Sequence, residues 1–445
     1  PVTNSSEISS MTPDEPAVVT PLPGISLAGA TWGLFAGLSV LLAGVGLYAT
    51  LIGVRAELES FNTAAIGVIG ASYYAGFVLG SRMALKVVGS VGHIRVYGAL
   101  CALLGATTLF SGLVVHPVVW IVLRLLAGAA IAGVFVVAES WLNQLANNQN
   151  RARVLATYAM VTIITYGIGQ VVFNLLDPTT LTAFTIAGIA IMLAVLPVSL
   201  SAVANPPAIA EIERLPLKKL FANAPTGVVT AFATGAVMGA ITAFAPIFAA
   251  RSGIAATRIG LFTAMPALGS LLLQVPIAAL SDRHDRRRVG VVTAALASGA
   301  SALLLVSDVG GPASYLAMVL LGGTMYPLYS IAGAYTNDRL RPELLMAAAA
   351  QLVVLFGVGA FIGPLVMALA MGLAGNAAYP MGSAIGLGAI SLFLAVRILQ
   401  HPSAERANPE QDVALDTQVL QIPATAVAMG RRLRYRRPVR SSGHR

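Results

Sequence analysis

Residues 346–372 read MAAAAQLVVLFGVGAFIGPLVMALAMG, a run of 27 residues without one charged side chain. A helix needs about 20 mostly apolar residues to cross a bilayer core of roughly 30 Å, so this stretch predicts a membrane span. Working outward along the chain, eleven further runs have the same character: 27–52, 63–88, 94–115, 117–140, 154–176, 181–203, 224–250, 257–280, 288–307, 311–333 and 378–398. Composition agrees. The chain is 57% apolar and 10% charged, where soluble domains average about 45–50% and 25%. A soluble protein of this length could not bury that much apolar surface, so lipid is the expected solvent. Glycine is frequent inside the runs, which in lipid permits close helix packing. The predicted fold is an all-α membrane protein of twelve transmembrane helices.

The formal charge of +9 raises the question of nucleic acid. The basic residues lie in short gaps between apolar runs and in the final segment, with no folded basic face, so no nucleic-acid partner is expected. The single cysteine, Cys101, sits within an apolar run and cannot form an intramolecular disulfide. Residues 1–26 contain no Lys or Arg for the positive region of a secretory signal. They are polar and Pro-rich, and read as a disordered cytoplasmic tail.

Orientation follows from the positive charges. With the N-terminus inside, fourteen basic residues fall in the cytoplasmic gaps, from Arg82 to Arg341. Three, Arg55, Arg251 and Arg258, fall outside. Both termini are therefore expected in the cytoplasm, and the location is the plasma (bacterial inner) membrane. The even number of spans agrees with this alternation. The longest internal gap, 204–223, separates six spans from six. A shift of about 193 residues lays one half on the other, matching Gly67 to Gly260 and Gly76 to Gly269, and one more residue matches Gly169 to Gly363. The expected domains are a tail at 1–26, a six-helix bundle at 27–203, a cytoplasmic linker at 204–223, a second bundle at 224–398 and a basic cytoplasmic tail at 399–445. Two parallel six-helix repeats define one transporter architecture, with the substrate site at their interface near the midplane.

The gap between spans eight and nine reads Ser281-Asp282-Arg283-His284-Asp285-Arg286-Arg287-Arg288. It resembles the Asp-Arg-x-x-Arg-Arg loop of the major facilitator superfamily. The equivalent gap, Gly89-Ser90-Val91-Gly92-His93-Ile94-Arg95, keeps the basic end but has Gly89 where that family usually has Asp. Span four holds Arg124 to Gly128, similar to the family's Arg-x-x-Gln-Gly motif with Ala127 in place of Gln. The resemblance implies a secondary transporter that moves a small solute by alternating access, with no cofactor. It also implies that Asp282, Arg283, Arg286 and Arg287, with Arg95 and Arg153, form charge contacts at the cytoplasmic gate. In part of the superfamily a Gly-x-x-x-Gly-Pro run on span five marks exporters. Here span five has Gly167, Gly169 and Gln170, and the run lies on span eleven as Gly359 to Pro364, so it carries no direction.

An Arg within a span costs at least a few kcal/mol, which makes Arg124 a functional candidate. Arginine cannot discard its charge, and its fork of donors suits a carboxylate or phosphate. Arg124 is expected to face the cavity and bind an anionic solute or help couple protons. Glu139 is the one acid placed within a span, just before Trp141, which reads as an interface marker. Its expected role is a contact with Arg95, Arg151 or Arg153, with proton carriage as the alternative. Tyr73, Gln170, Asn174, Gln274, Tyr326 and Gln351 are the uncharged polar candidates for lining a cavity, each with helix packing as the plainer alternative. The cluster Arg431 to Arg437 reads as a lipid contact or a topology anchor. A membrane enzyme would want His, Cys or paired carboxylates at membrane depth, and all five histidines fall in loops, tails or span ends. A facilitator without ion coupling and a membrane sensor that does not transport are the remaining alternatives.

Overall fold

A computed structural model describes residues 27–146, 150–201 and 215–401. The tail cluster Arg431 to Arg437, Arg214 and residues 1–26 lie outside that set. Among the described residues there are fourteen α-helices: α1 (Leu27–Leu58), α2 (Thr63–Val91), α3 (His93–Leu113), α4 (Pro117–Leu145), α5 (Arg151–Val172), α6 (Leu181–Leu193), α7 (Val195–Ser199), α8 (Leu217–Asn223), α9 (Pro225–Arg251), α10 (Ala256–Arg283), α11 (Arg286–Val306), α12 (Pro312–Asn337), α13 (Leu345–Ala374) and α14 (Ala378–Gln400). Helices α6 and α7 together make the sixth span, and α8 lies in the linker. Twelve spans are long and apolar enough to cross a membrane. Large apolar side chains such as Leu79, Phe110, Leu272 and Leu369 stand exposed on their outer faces, as lipid contact requires.

Local chemistry sets the helix ends. Asn62 accepts the Ala65 N–H at 2.7 Å and starts α2. Proline occupies the first turn of α4, α9 and α12, where its missing N–H costs nothing. Gly92, at φ 96°, breaks α2 from α3, and Gly375, at φ 71°, ends α13. The first span runs one and a half turns past the predicted end at 52, carrying Glu57 into the helix.

Small residues set the packing, and they do so twice. A Cβ on Gly76 would strike the Leu125 carbonyl of α4, and one on Gly128 would strike the Tyr73 carbonyl of α2. In the second bundle Gly269 meets Val319 and Gly322 meets Pro266 in the same way. Each residue stands 193 or 194 positions from its counterpart. Between α1 and α5, Gly169 lies against Ala43 and Gly46 against Tyr166. Between α13 and α9, Gly363 lies against Ala236 and Gly239 against Ala360. Four backbone-to-backbone seams thus recur at one shift, making two pseudo-symmetric six-helix bundles.

The same relation holds across the bundle interface. Gly67 of α2 meets Pro364 and Ala368 of α13, while Gly260 of α10 meets Gln170 and Asn174 at the end of α5. Gly53 meets Pro246, and 53 plus 193 is 246, so this contact maps onto itself. Polar contacts reinforce the seal: Thr50 and Thr263 hydroxyls lie 3.3 Å apart, Asn174 Oδ1 accepts the Gly260 N–H at 2.8 Å, and Arg251 pairs with Glu57 at 2.9 Å. All of these lie toward the molecular end that carries Arg55 and Arg251. The opposite end carries Arg82, Arg153, Arg286 and Arg339, and is called the basic end below.

Candidate functional site

Between the bundles lies a cavity of about 180 Å³ walled by α1, α2, α4 and α5 on one side and α9, α10, α12 and α13 on the other. Arg124 enters it from α4. Its placement follows from the seam: Gly128, one turn further on, presses against the Tyr73 backbone, so Arg124 comes over the Tyr73 ring. The guanidinium carbon sits 4.1 Å from the Tyr73 ring centroid and 5.5 Å from that of Tyr48, a cation–π arrangement on two faces. Tyr48 is held by a 2.8 Å bond between its hydroxyl and Ser111. Arg124 Nε is buried without a hydrogen-bond partner. Ala127, where the superfamily motif has Gln, is fully buried and offers no polar atom.

Of the sequence candidates, Arg124, Tyr73 and Tyr326 meet in this cavity. The amides and Glu139 do not line it. Gln274 is buried within α10 and accepts from Ser270 at 2.8 Å. Asn174, with the backbone of Gln170, belongs to the seal between bundles. Gln351 donates to the Leu215 carbonyl at 3.2 Å, tying α13 to the linker. Tyr74, Tyr166, Thr242, Phe135 and Phe356 also wall the cavity and were not singled out from sequence. The adjacent Tyr73-Tyr74 pair was the available signal.

Glu139 corrects the expectation of an arginine contact. Its carboxylate accepts the Tyr158 hydroxyl at 3.4 Å, while Arg95 and Arg153 are exposed and Arg151 reaches the Asn143 carbonyl at 3.5 Å. The carboxylate needs a donor at this depth, and a tyrosine one helix away supplies it without a second charge. Trp141 is likewise no interface marker. It is 1% exposed, with its ring 6.2 Å from that of His93.

At the basic end the charged loop ties the second bundle together. Arg286 bonds Asp338, at the end of α12, at 2.6 Å and Asp282 at 3.0 Å. Arg287, 2% exposed, pairs with Asp285 at 2.9 Å and donates to the His401 carbonyl at 2.7 Å. Asp285 also caps α11 by accepting the Arg287 N–H at 2.9 Å. Burial works to raise the Asp285 carboxyl, but hydrogen bonds from the Arg287 side chain and backbone, with the charges of Arg287 and Arg288, outweigh it and hold the group below the usual carboxylate range. Asp282, Arg286 and Arg287 therefore meet in one corner, whereas Arg95 and Arg153 stay apart from it.

A family model described as Major Facilitator Superfamily matches residues 227–440. Over 343 residues the chain is 26% identical to an MFS-type transporter of Enterobacter sp. (strain 638), covering 76% of this chain and 88% of that one. It is 27% identical over 345 residues to the MFS-type transporter YcaD of Escherichia coli, with the same two coverages. Among solved structures, the nucleoside transporter NupG superposes with a TM-score of 0.69 at 14% identity, over 84% of this chain and 100% of that one; that likeness is one of fold. With relatives matched over three quarters of its length and twelve spans in two repeats around a shared cavity, the chain is similar to transporters of the major facilitator superfamily.

Proposed function

We propose that this protein is a secondary transporter of the bacterial inner membrane that carries a small, anionic solute by alternating access. The observation that carries this reading is a cavity walled by both bundles and sealed at one end by seams that obey the repeat. Sealed and open ends are what two rocking bundles exchange. With both termini cytoplasmic, the basic end faces the cytoplasm and the described conformation is inward-facing. Arg124 is the group assigned to the solute's charge.

The test needs no substrate. Cys101 is buried, so introduced cysteines are the reactive ones. Spin labels at exposed Leu58 and Ala255 report the sealed end, and labels at Ser90 and Arg341 report the basic end. Two populations are expected, with the sealed-end distance lengthening where the basic-end distance shortens. One fixed distance at each end would sink the reading.

Proton coupling through Glu139 is a second, finer reading, supported by its tyrosine partner and by the lack of an ion pair to it among the described residues. Glu139→Gln should then abolish uptake driven by a pH gradient while leaving solute exchange intact. Equal loss of both would assign Glu139 to structure, and gradient-independent flux in the parent protein would make it a facilitator.

A further inference from the structure

The polar atoms facing the cavity are few and one-sided, and from them we infer the chemical class of the solute: a monoanion with a flat, apolar, preferably aromatic body. This inference rests on the transporter reading above and deepens it.

Charge comes first. Among the described residues the lining contains one guanidinium, and no carboxylate or carboxamide side chain. A solute ammonium group would find no anion there. A second carboxylate on the solute would be buried against Leu, Ile and Phe with no cation to meet it, at a heavy desolvation cost. One negative charge matches one Arg124. The Nε of that arginine, buried and unpartnered, is a donor still to be satisfied. Its cation–π contact with Tyr73 draws on the charge and leaves Nε without a partner. A carboxylate takes two N–H groups of the fork.

Neutral hydroxyl-rich solutes fit poorly. A sugar or nucleoside needs several acceptors and donors at fixed points. The lining supplies scattered tyrosine and threonine hydroxyls, and the Ser270 hydroxyl is already spent on Gln274. The remaining surface is the second clue to the body. Tyr73, Tyr74, Phe77, Phe135, Tyr326 and Phe356 bring rings from α2, α4, α12 and α13 around the space, and rings recognise a flat apolar body by stacked or edge-on contact.

The experiment is calorimetric titration of the purified full-length chain with benzoate, 2-naphthoate, benzamide, terephthalate and uridine. 2-Naphthoate is expected to bind most tightly, followed by benzoate. Benzamide, matched in shape without the charge, and terephthalate, with a second charge, should each bind about tenfold more weakly than benzoate or worse. Uridine should give no binding. Arg124→Gln should level benzoate with benzamide, and Arg124→Lys should lose part of the preference. Uridine or terephthalate binding as tightly as 2-naphthoate would overturn the assignment. So would silence with both aromatic monoanions, or an Arg124→Gln protein that keeps the full preference. If the glutamine variant does not fold, the ranking in the parent chain decides alone. The spin-label distances judge transport separately: ligand ranking as expected with fixed distances would leave the binding class standing and remove the transporter reading.

Discussion

Two corners of this molecule occupy equivalent places and are closed by different chemistry. In the second bundle, Asp282, Asp285, Arg286, Arg287 and Asp338 make a web of ion pairs joining α10, α11 and α12. At a shift of 193 the first bundle has Gly89, Gly92, His93, Ile94 and Leu145. Its α3–α4 corner is held by a 3.1 Å bond between His93 Nε2 and Ser140, with the imidazole buried. The glycine seams, by contrast, are repeated almost residue for residue. A backbone-to-backbone seam has one solution, because any side chain there strikes a carbonyl. A corner only needs its polar groups satisfied, and many residue sets do that.

The largest effects should come from the seams and be equal in the two bundles. Gly76→Val and Gly269→Val each drive a side chain into the facing helix, costing about 3 kcal/mol or more. Thermal unfolding of the purified proteins measures this, and tolerance of either one alone would break the equivalence of the bundles. Next come the corners. Arg286→Ala removes the ion pairs to Asp282 and Asp338, but those side chains are about a third exposed, so the expected loss is only about 1–2 kcal/mol. That loss should shrink in about 1 M salt. His93→Ala should cost about 1 kcal/mol whatever the salt. Matching salt dependence at both sites would mean that the corners do not differ in kind.

A third, smaller effect is acid sensitivity confined to the second bundle. The folded-state pKa of Asp285 is depressed, so its stabilisation is fully present above the ordinary carboxylate value of about 4 and is lost as pH falls through the depressed value. The gap in melting temperature between the parent chain and Asp285→Asn should therefore close below about pH 4. A gap that persists unchanged at lower pH would refute that titration. Smallest of all is Gly89→Asp. Nothing lies within 4 Å of a Cβ there, so restoring the acid usual in the superfamily should change stability by less than about 0.5 kcal/mol. A large stabilisation would show that the first corner still has a cation waiting for it.

Much of the architecture was legible in the chain. The spans are written in long uncharged runs, and the shift that aligned Gly67 with Gly260 and Gly169 with Gly363 turned out to relate real helix contacts. Arg124 stood out because a fixed charge in lipid needs a reason. The cavity wall was harder to read. In a membrane both the lipid-facing and the cavity-facing sides of a helix are apolar, so periodicity does not tell Phe135 or Phe356 from an outward-facing neighbour such as Leu369. The amides misled for a related reason. Gln274, Asn174 and Gln351 find their partners in a nearby hydroxyl, a helix N–H or a linker carbonyl, and only tertiary structure supplies those. Glu139 lies on the fourth span, but its tyrosine partner lies nineteen residues away on another helix.

The cation–π contact of Arg124 with tyrosine, with no acid in the cavity lining among the described residues, has an electrical consequence. In the alternating access proposed above, the arginine stays where it is and the aqueous boundary, and with it the membrane field, moves from one side of it to the other. On that proposal an empty carrier turns with one uncompensated positive charge at that depth, and a carrier holding the proposed monoanion turns with none. A unit charge crossing the full field is worth about 2.3 kcal/mol per 100 mV, which bounds the bias on the empty step. Voltage should then set the rate at which the vacant protein resets, and leave the loaded turn almost untouched.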